Sequence, residues 1–431
     1  MSLSRRDFLA AGLALQPSAR LPNVLVFMTD QESALLPGPV NLPSRARLER
    51  TAVKFTSAFC NTPQCSAARS ALLTGLEPHQ TGVLTNVDSS SLGKPLDPKL
   101  PTMGSVFQAA GYTTGYFGKW HLGGDRDGLT RFGFAHYQPL PKDEEAARQA
   151  AEWIRAQRGP WLAWVSIINP HDIYGLPKLL KEVQPRSGVL PPRTGLDNLA
   201  SKPSEQRQYV DKDQGRATRD YMPEDWVRYR SHYCELVEAA DRCLGLVLDA
   251  LADLDSTVVV YTSDHGDALG EHGLPFKGPF MYEELISIPL WISAPGAPLG
   301  KAARTDLVTQ ADLAPTLAAL AGLTWPREVS GMDLTKGPRD RTAVFLEYYA
   351  KQKWVNPIRT IRTRRWKLNW YDRGNKELYD LATDPYETRN RAGDSELTPV
   401  QTDLEKRLVA WRKPLLGAAS SRASRQRQAD L

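Results

Sequence analysis

The chain has 431 residues, 41% hydrophobic and 24% charged, enough to bury a large core and to form one big domain with an appendage or two domains. A formal charge of +5, part of it on Arg422, Arg425 and Arg427 near the C-terminus, does not mark a nucleic-acid-binding surface. No apolar run approaches the ~20 residues that cross a bilayer, so no membrane span is expected and the chain reads as a soluble, enzyme-sized protein.

The N-terminus runs Ser4-Arg5-Arg6-Asp7-Phe8-Leu9 into the apolar stretch Leu9 to Leu15, which resembles a bacterial twin-arginine export signal. Residues 1–20 are read as that signal, with a periplasmic or secreted location expected. The short apolar region and the poor small-x-small site near Ala19 keep a cytoplasmic protein as the alternative. Four cysteines are few for an exported chain. Cys234 and Cys243 share one expected helix, roughly 13 Å apart at ~1.5 Å per residue, too far to bridge, so no disulfide framework is expected.

The continuous apolar run Asn23 to Met28, ended by Thr29-Asp30-Gln31, reads as a central strand of a sheet covered on both faces. Next, Cys65-Ser66-Ala67-Ala68-Arg69-Ser70-Ala71-Leu72-Leu73-Thr74-Gly75 places a cysteine in front of a helix-prone run. There the unpaired N–H groups and the positive end of the helix dipole favour anions and a lowered thiol pKa, with Arg69 one turn along. A small buried hydrophobe is the alternative for such a cysteine.

Three further strands repeat the first pattern: Tyr112 to Phe117 before Gly118-Lys119-Trp120-His121, Trp161 to Ile168 before Asn169-Pro170-His171-Asp172, and Thr257 to Thr262 before Ser263-Asp264-His265-Gly266-Asp267. Each delivers ligand-type residues just past its carboxyl end, where open α/β sheets bind ligands. Helices are expected over 142–157 and along the stripe Trp226, Tyr229, Tyr233, Leu236, Ala240, Cys243, Val247 and Leu251. Between Asp172 and Glu224 the chain is polar and Pro-rich, with Tyr209 to Tyr221 lacking clean periodicity. It reads as an excursion over the site mouth, or as a solvated insertion.

A strand at Ile286 to Ile292 and a helix near Leu313 to Leu320 precede a Pro/Gly cluster at Pro326 to Pro338, read as a subdomain boundary. Strand-like runs follow at Ala343 to Tyr349, Ile358 to Tyr371 and Glu377 to Leu381, then a helix from Pro399 to Trp411. The basic tail from Pro414 reads as disordered. The expected division is a catalytic domain over 21–338, an α+β subdomain over 339–413 and a tail over 414–431.

Cys65, Arg69, Leu73, Thr74 and Gly75 resemble the signature Cys-x-Pro-Ser-Arg followed by Leu-Thr-Gly of type I sulfatases, with Ala67 and Ala68 in place of proline and serine. The resemblance extends along almost the whole chain: Asp30, Gly-Lys-Trp-His-Leu-Gly from Gly118, Pro170-His171, Ser263 to Asp267, Lys277-Gly278, and Glu377-Leu378-Tyr379-Asp380-Leu381 before Asp384-Pro385-Tyr386-Glu387. It implies an alkaline phosphatase-like α/β/α sandwich with a large mixed sheet, plus a smaller C-terminal antiparallel sheet and helix. It also implies hydrolysis of an aryl or carbohydrate sulfate monoester after a maturation enzyme has oxidised Cys65 to formylglycine.

By the same resemblance, the aldehyde hydrate attacks sulfur through one hydroxyl and the second ejects sulfate. Asp30, Gln31, Asp264 and His265, with the group derived from Cys65, are placed on one divalent metal. Calcium is the family default, but Gln31 removes a carboxylate that relatives carry and His265 supplies a nitrogen, so manganese or magnesium stays open. Arg69 is assigned to hold the formylglycine and balance charge, Lys119 to bind sulfate oxygens, His121 to act as base for breakdown of the covalent sulfate, and His171 with Lys277 to protonate the leaving oxygen. Asp267 is either a supporting partner or a solvated surface acid. Two alternatives remain: a phosphodiesterase or phosphonate monoester hydrolase built on the same cysteine-derived residue, and a non-catalytic anion-binding protein with Cys65 unconverted.

Overall fold

The computed structural model describes residues 21–411 except 89–91, 140–141, 195–198, 301 and 338–339. The signal segment, the boundary at 338 and the tail from 414 therefore lie outside the described residues. The main sheet has seven strands, in the order Val53–Lys54, Leu290–Ser293, Thr257–Ser263, Asn23–Asp30, Trp161–Pro170, Thr113–Gly118 and His136–Gln138. The last five run parallel and Leu290–Ser293 is antiparallel to its neighbours, so the sheet is mixed.

The strand Asn23–Asp30 stands fourth of seven, and its side chains alternate between two cores. Val24, Val26 and Met28 face one core, which includes Leu72 and Leu73 of the helix Cys65–Thr74. Leu25 and Phe27 face the other, built with the helices Asp143–Ala156 and Pro223–Leu248. Period-two alternation with both faces apolar is why this strand reads as one unbroken hydrophobic run.

The C-terminal sheet is an antiparallel meander of Ala343–Lys351, Trp354–Thr363, Trp366–Tyr371 and Lys376–Asp380. One face, with Ile361, Leu368 and Leu378, receives Leu404 and Leu408 of the helix Thr398–Trp411. The other carries Val344, Leu346, Tyr348 and Ile358 into the main core, so this subdomain is fixed to the catalytic one by shared apolar burial.

Several sequence expectations change. The run Ile286 to Ile292 splits into a short helix, Glu283–Ile286, and the strand Leu290–Ser293. Ile358 to Tyr371 is two strands rather than one, turned at Arg364 and Arg365. The long helix ends at Leu248, leaving Leu251 outside it. In the excursion, Ser204–Lys212 is a helix whose Tyr209 is fully buried and donates to the carbonyl of Pro275 at 3.0 Å. Its stripe, Glu205, Gln206, Tyr209 and Val210, is too polar to register as an apolar periodicity.

Candidate active site

Because the strands ending at Asp30, Gly118, Pro170 and Ser263 are parallel and adjacent, their carboxyl ends bring Asp30-Gln31, Lys119, His171 and Asp264-His265 to one edge of the sheet. Cys65 arrives there as the first residue of the helix Cys65–Thr74, which ends at Gly75 with φ of 71°. Gly118 is constrained more severely: at φ of 91°, a Cβ would meet the Ser166 carbonyl oxygen at 2.1 Å, so only glycine lets the chain turn toward Lys119. Gln31, His121 and Phe276 also adopt left-handed φ, at 70°, 58° and 55°. Each sits beside or within a site segment, where such strain is held by surrounding structure.

Cys65 is buried beside two lysines and a histidine. Lys277 Nζ lies 2.8 Å from its Sγ, His265 Nε2 3.3 Å and Lys119 Nζ 3.7 Å. Burial and Asp30 push the thiol up, but Lys119, Lys277 and His265 outweigh them and hold it well below the usual thiol range. The reading of Cys65 as an inert core residue is therefore not supported. Cys60, also buried, is pushed up by burial and by Asp264, which marks it as the packing thiol.

Asp30 and Asp264 are fully buried and bridged by Arg69, whose Nη2 reaches Asp30 Oδ2 at 2.8 Å and whose Nε reaches Asp264 Oδ2 at 2.9 Å. Arg69 Nη1 donates to the Lys119 carbonyl at 2.6 Å and to Ser166 Oγ at 2.8 Å. The guanidinium is committed to carboxylates and strand ends, a difference from its expected grip on the residue derived from Cys65. Lys119 Nζ also pairs with Asp30. Burial raises the Asp30 carboxyl, yet Lys119, His171, Arg69 and Lys277 hold it far below the usual range. Burial and the nearby Asp30 charge raise Asp264.

The donor set fits a divalent cation. One ligand atom each from Asp30, Cys65, Asp264 and His265 all lie within 4.8 Å of one another. His265 Nδ1 lies 2.9 Å from the Gly266 carbonyl. That oxygen can only accept, so Nδ1 carries the proton and the Nε2 lone pair faces the cluster. The Lys277 ammonium shows that these groups converge on positive charge: it reaches His265 Nε2 at 2.9 Å and Gln31 Oε1 at 3.0 Å as well as Cys65. Gln31 is oriented by Asp267, which accepts from its Nε2 at 2.7 Å and from Tyr229 Oη at 2.9 Å. Asp267 is fully buried, which removes the surface-acid alternative.

His171 lines a cavity of about 180 Å³ with Lys277, Tyr174, Gln64 and Gln214. Burial pushes its ring down to about 3, aided by Lys277 and Lys119 and opposed by Asp30, so it is neutral near pH 7. His121 joins the site through its backbone, its carbonyl accepting from Ser66 Oγ at 2.5 Å, while its buried Nδ1 has no hydrogen-bond partner. Sequence reasoning passed over Ser166, Gln310 and Lys351. A lone serine in the apolar run Trp161 to Ile168 signals Ser166. Gln310 donates to the Ser263 and Asp264 carbonyls at 2.9 and 2.6 Å from a segment distant in sequence, and nothing local marks it. The excursion supplies Tyr174 and Gln214 to the cavity. Its Lys202 and Arg193 instead reach Tyr379 and Tyr386 of the C-terminal subdomain.

A buried cysteine at a helix N-terminus, a carboxylate and histidine cluster and two lysines thus meet at the carboxyl edge of a mixed sheet, an arrangement suited to an anionic ester, and the comparisons place it in the alkaline phosphatase superfamily. The family model for sulfatase matches residues 22–323, and that for the N-sulphoglucosamine sulphohydrolase C-terminal region matches residues 270–414. The chain belongs to the sulfatase family and is a sulfuric ester hydrolase.

The chain is 29% identical over 385 residues to a delta 4,5-hexuronate-2-O-sulfatase of Bacteroides thetaiotaomicron, covering 81% of this chain and 79% of that one. It is 28% identical over 443 residues to an ulvan-active sulfatase of Formosa agariphila, covering 90% and 80%. Among solved structures, a 2-O GAG sulfatase shares the fold with a TM-score of 0.79 at 24% identity, over 91% of this chain and 92% of that one. Family membership does not favour phosphorus ester hydrolysis or passive anion binding. No described helix is long and apolar enough to cross a membrane.

Proposed function

We propose that the protein hydrolyses a carbohydrate sulfate monoester, with Cys65 converted to formylglycine by a maturation enzyme. The observation that carries this reading is the placement of Cys65 Sγ 2.8 Å from Lys277 and 3.3 Å from His265, beside two carboxylates that Arg69 holds together. A sugar is favoured over a simple aryl alcohol because the cavity is lined by Gln64, Asn86, Gln214 and Gln352, amides that pair with hydroxyls. Relatives named for hexuronate and ulvan agree with that choice.

Formylglycine supplies, as its hydrate, an oxygen nucleophile and a second hydroxyl for release of sulfate. Asp30, Asp264 and His265, with Gln31 Oε1, would hold the divalent metal, which supplies Lewis acidity beside that nucleophile. Calcium follows the family default, and the His265 nitrogen keeps manganese or magnesium in the comparison. Arg69 bridges the two carboxylates and shares its charge between them. Lys119 and Lys277 bind sulfate oxygens as charge builds in the transition state. His171 is neutral beside these lysines, and an anionic sulfate between them offsets their charge, so the ring can take a proton and pass it to the leaving oxygen. His121 is assigned the base role in sulfate release, its buried Nδ1 having no hydrogen-bond partner among the described residues.

The divisions 21–338 and 339–413 are retained as catalytic domain and substrate-gripping subdomain, and Arg5-Arg6 supports export of the folded, modified enzyme. The test has two parts. Mass spectrometry of the Cys65 peptide from native-host protein should show the aldehyde, and free thiol alone would sink the nucleophile. Sulfate release from sulfated sugars should exceed turnover of a phosphate diester and a phosphonate monoester, and the reverse order would overturn the reaction class.

A further inference from the structure

Lys351 ends the strand Ala343–Lys351 of the C-terminal sheet, yet its side chain is only 12% exposed and lines the same cavity as His171 and Lys277. Its Nζ lies 3.1 Å from Asp213 and 4.5 Å above the Tyr209 ring, both on the excursion. The contact with Asp213 is an ion pair whose angles fall short of hydrogen-bond alignment, and among the described residues no other acceptor is aligned with this ammonium. Asp213 faces Lys351 with Oδ2, while its Oδ1 accepts from the backbone N–H of Gln214 at 2.7 Å. Burial, with help from Lys277 and against Asp213, lowers this lysine to about 8. One carboxylate and one ring face leave donor capacity of this buried ammonium unused, which is costly unless another acceptor takes it.

The position of Lys351 is set from the nucleophile side. Thr85 Oγ1 lies 2.7 Å from the Ala350 carbonyl and 3.1 Å from Gln64 Oε1, and Gln64 immediately precedes Cys65. The hairpin tip is thus tied to the start of the helix Cys65–Thr74, and Lys351 lines the same cavity as His171 and Lys277. Lys277 and Lys119 are engaged with the Cys65 cluster, whereas the remaining lining is dominated by neutral amides.

We propose that Lys351 is a specificity-determining residue that binds a second anionic group on the alcohol portion of the sulfate ester, making the substrate an acidic sugar sulfate. This rests on the sulfatase reading above. The second anion is a carboxylate or a further sulfate, either of which completes the hydrogen bonds Asp213 leaves unmade. Asp88, also on the lining, is the group that would favour a cationic alcohol instead.

The test uses full-length enzyme with Cys65 converted, assayed on a 2-O-sulfated hexuronate, an N,6-O-disulfated glucosamine, a neutral hexose 6-sulfate and choline sulfate. At least one of the two acidic esters should be preferred by the parent, and which one identifies the anion. Lys351→Met should lower the acidic-to-neutral ratio of kcat/KM by about 10- to 100-fold, mainly through KM, while Lys351→Arg keeps it within a few-fold. An unchanged ratio, or a parent that prefers the neutral or the choline ester, overturns the assignment. If Lys351→Met does not fold, competition on the parent decides: the unsulfated hexuronate or the N-sulfated glucosamine lacking its 6-O-sulfate should inhibit at least ~10-fold more tightly than the neutral hexose, and inhibition by both no better than by the neutral hexose overturns it. Failure to hydrolyse any of the four esters would instead defeat the sulfatase reading itself.

Discussion

Lys277 Nζ donates to Cys65 Sγ at 2.8 Å across a sequence separation of 212 residues. The contact joins the helix Cys65–Thr74 to the loop after the strand Thr257–Ser263. It also makes the helix N-terminus more electropositive than its backbone dipole alone would.

Lys277→Met should lower kcat by roughly 10²- to 10³-fold, the usual loss when one fixed donor to developing charge is removed. Steady-state rates on protein with verified Cys65 conversion measure this. Unchanged turnover would place the sulfate pocket elsewhere.

Arg69→Met should destabilise the fold by about 3–5 kcal/mol, because it leaves the buried Asp30 and Asp264 carboxylates facing each other without their shared counter-charge. Arg69→Lys should recover only part, since one ammonium cannot reproduce the guanidinium fork. Denaturant unfolding checks both, and a parent-like midpoint for Arg69→Met would mean the carboxylates are neutralised by other means.

Asp267→Asn should weaken divalent metal binding by about 10- to 100-fold. The carboxylate accepts from Gln31 Nε2, and an asparagine amide in its place would let the Gln31 amide flip and turn nitrogen toward the metal. Calorimetric titration of metal-stripped enzyme reads this directly. Equal affinity would remove Gln31 from the ligand set.

Glu77 predicts a pH effect on stability away from the chemistry. Burial pushes its carboxyl up to about 8, with Glu347 adding and with His79 and Asn61 opposing, against 4.5 for a free side chain. The folded state therefore binds the proton more tightly. The stability this contributes is fully present below about 4.5 and is lost as pH rises through 8. Glu77→Gln should flatten that decline and exceed the parent at pH 9, by up to about 4 kcal/mol. Urea midpoints at pH 5 and 9 decide it, and parallel pH curves for the two proteins would show that another group carries the dependence.

Much of the site was legible because strand periodicity and strand ends are local properties. Asp30, Lys119, His171, Asp264 and His265 each follow an apolar run, and a parallel sheet places such ends side by side whatever the loops do. The helix at Cys65 and its stop at Gly75 were equally readable, since propensity and a left-handed cap act over a few residues. The helix Ser204–Lys212 was not, because its buried stripe is made of Glu205, Gln206 and Tyr209, whose partners lie on the C-terminal sheet and behind the active-site loop.

The chain by itself carried the resemblance to sulfatases, through the order of residue types after each strand and the Cys65 to Gly75 run, and that resemblance nominated Asp30, Asp264, His265, Cys65, Lys119 and Lys277 for the site. Only the tertiary structure decided what each charge is used for. Arg69 turns to two carboxylates, Asp267 is buried against Gln31, and Lys351 enters the cavity from another subdomain. Those outcomes depend on distances between segments far apart in sequence, and Coulomb energies in a dry interior change too steeply with distance to be read from spacing along the chain.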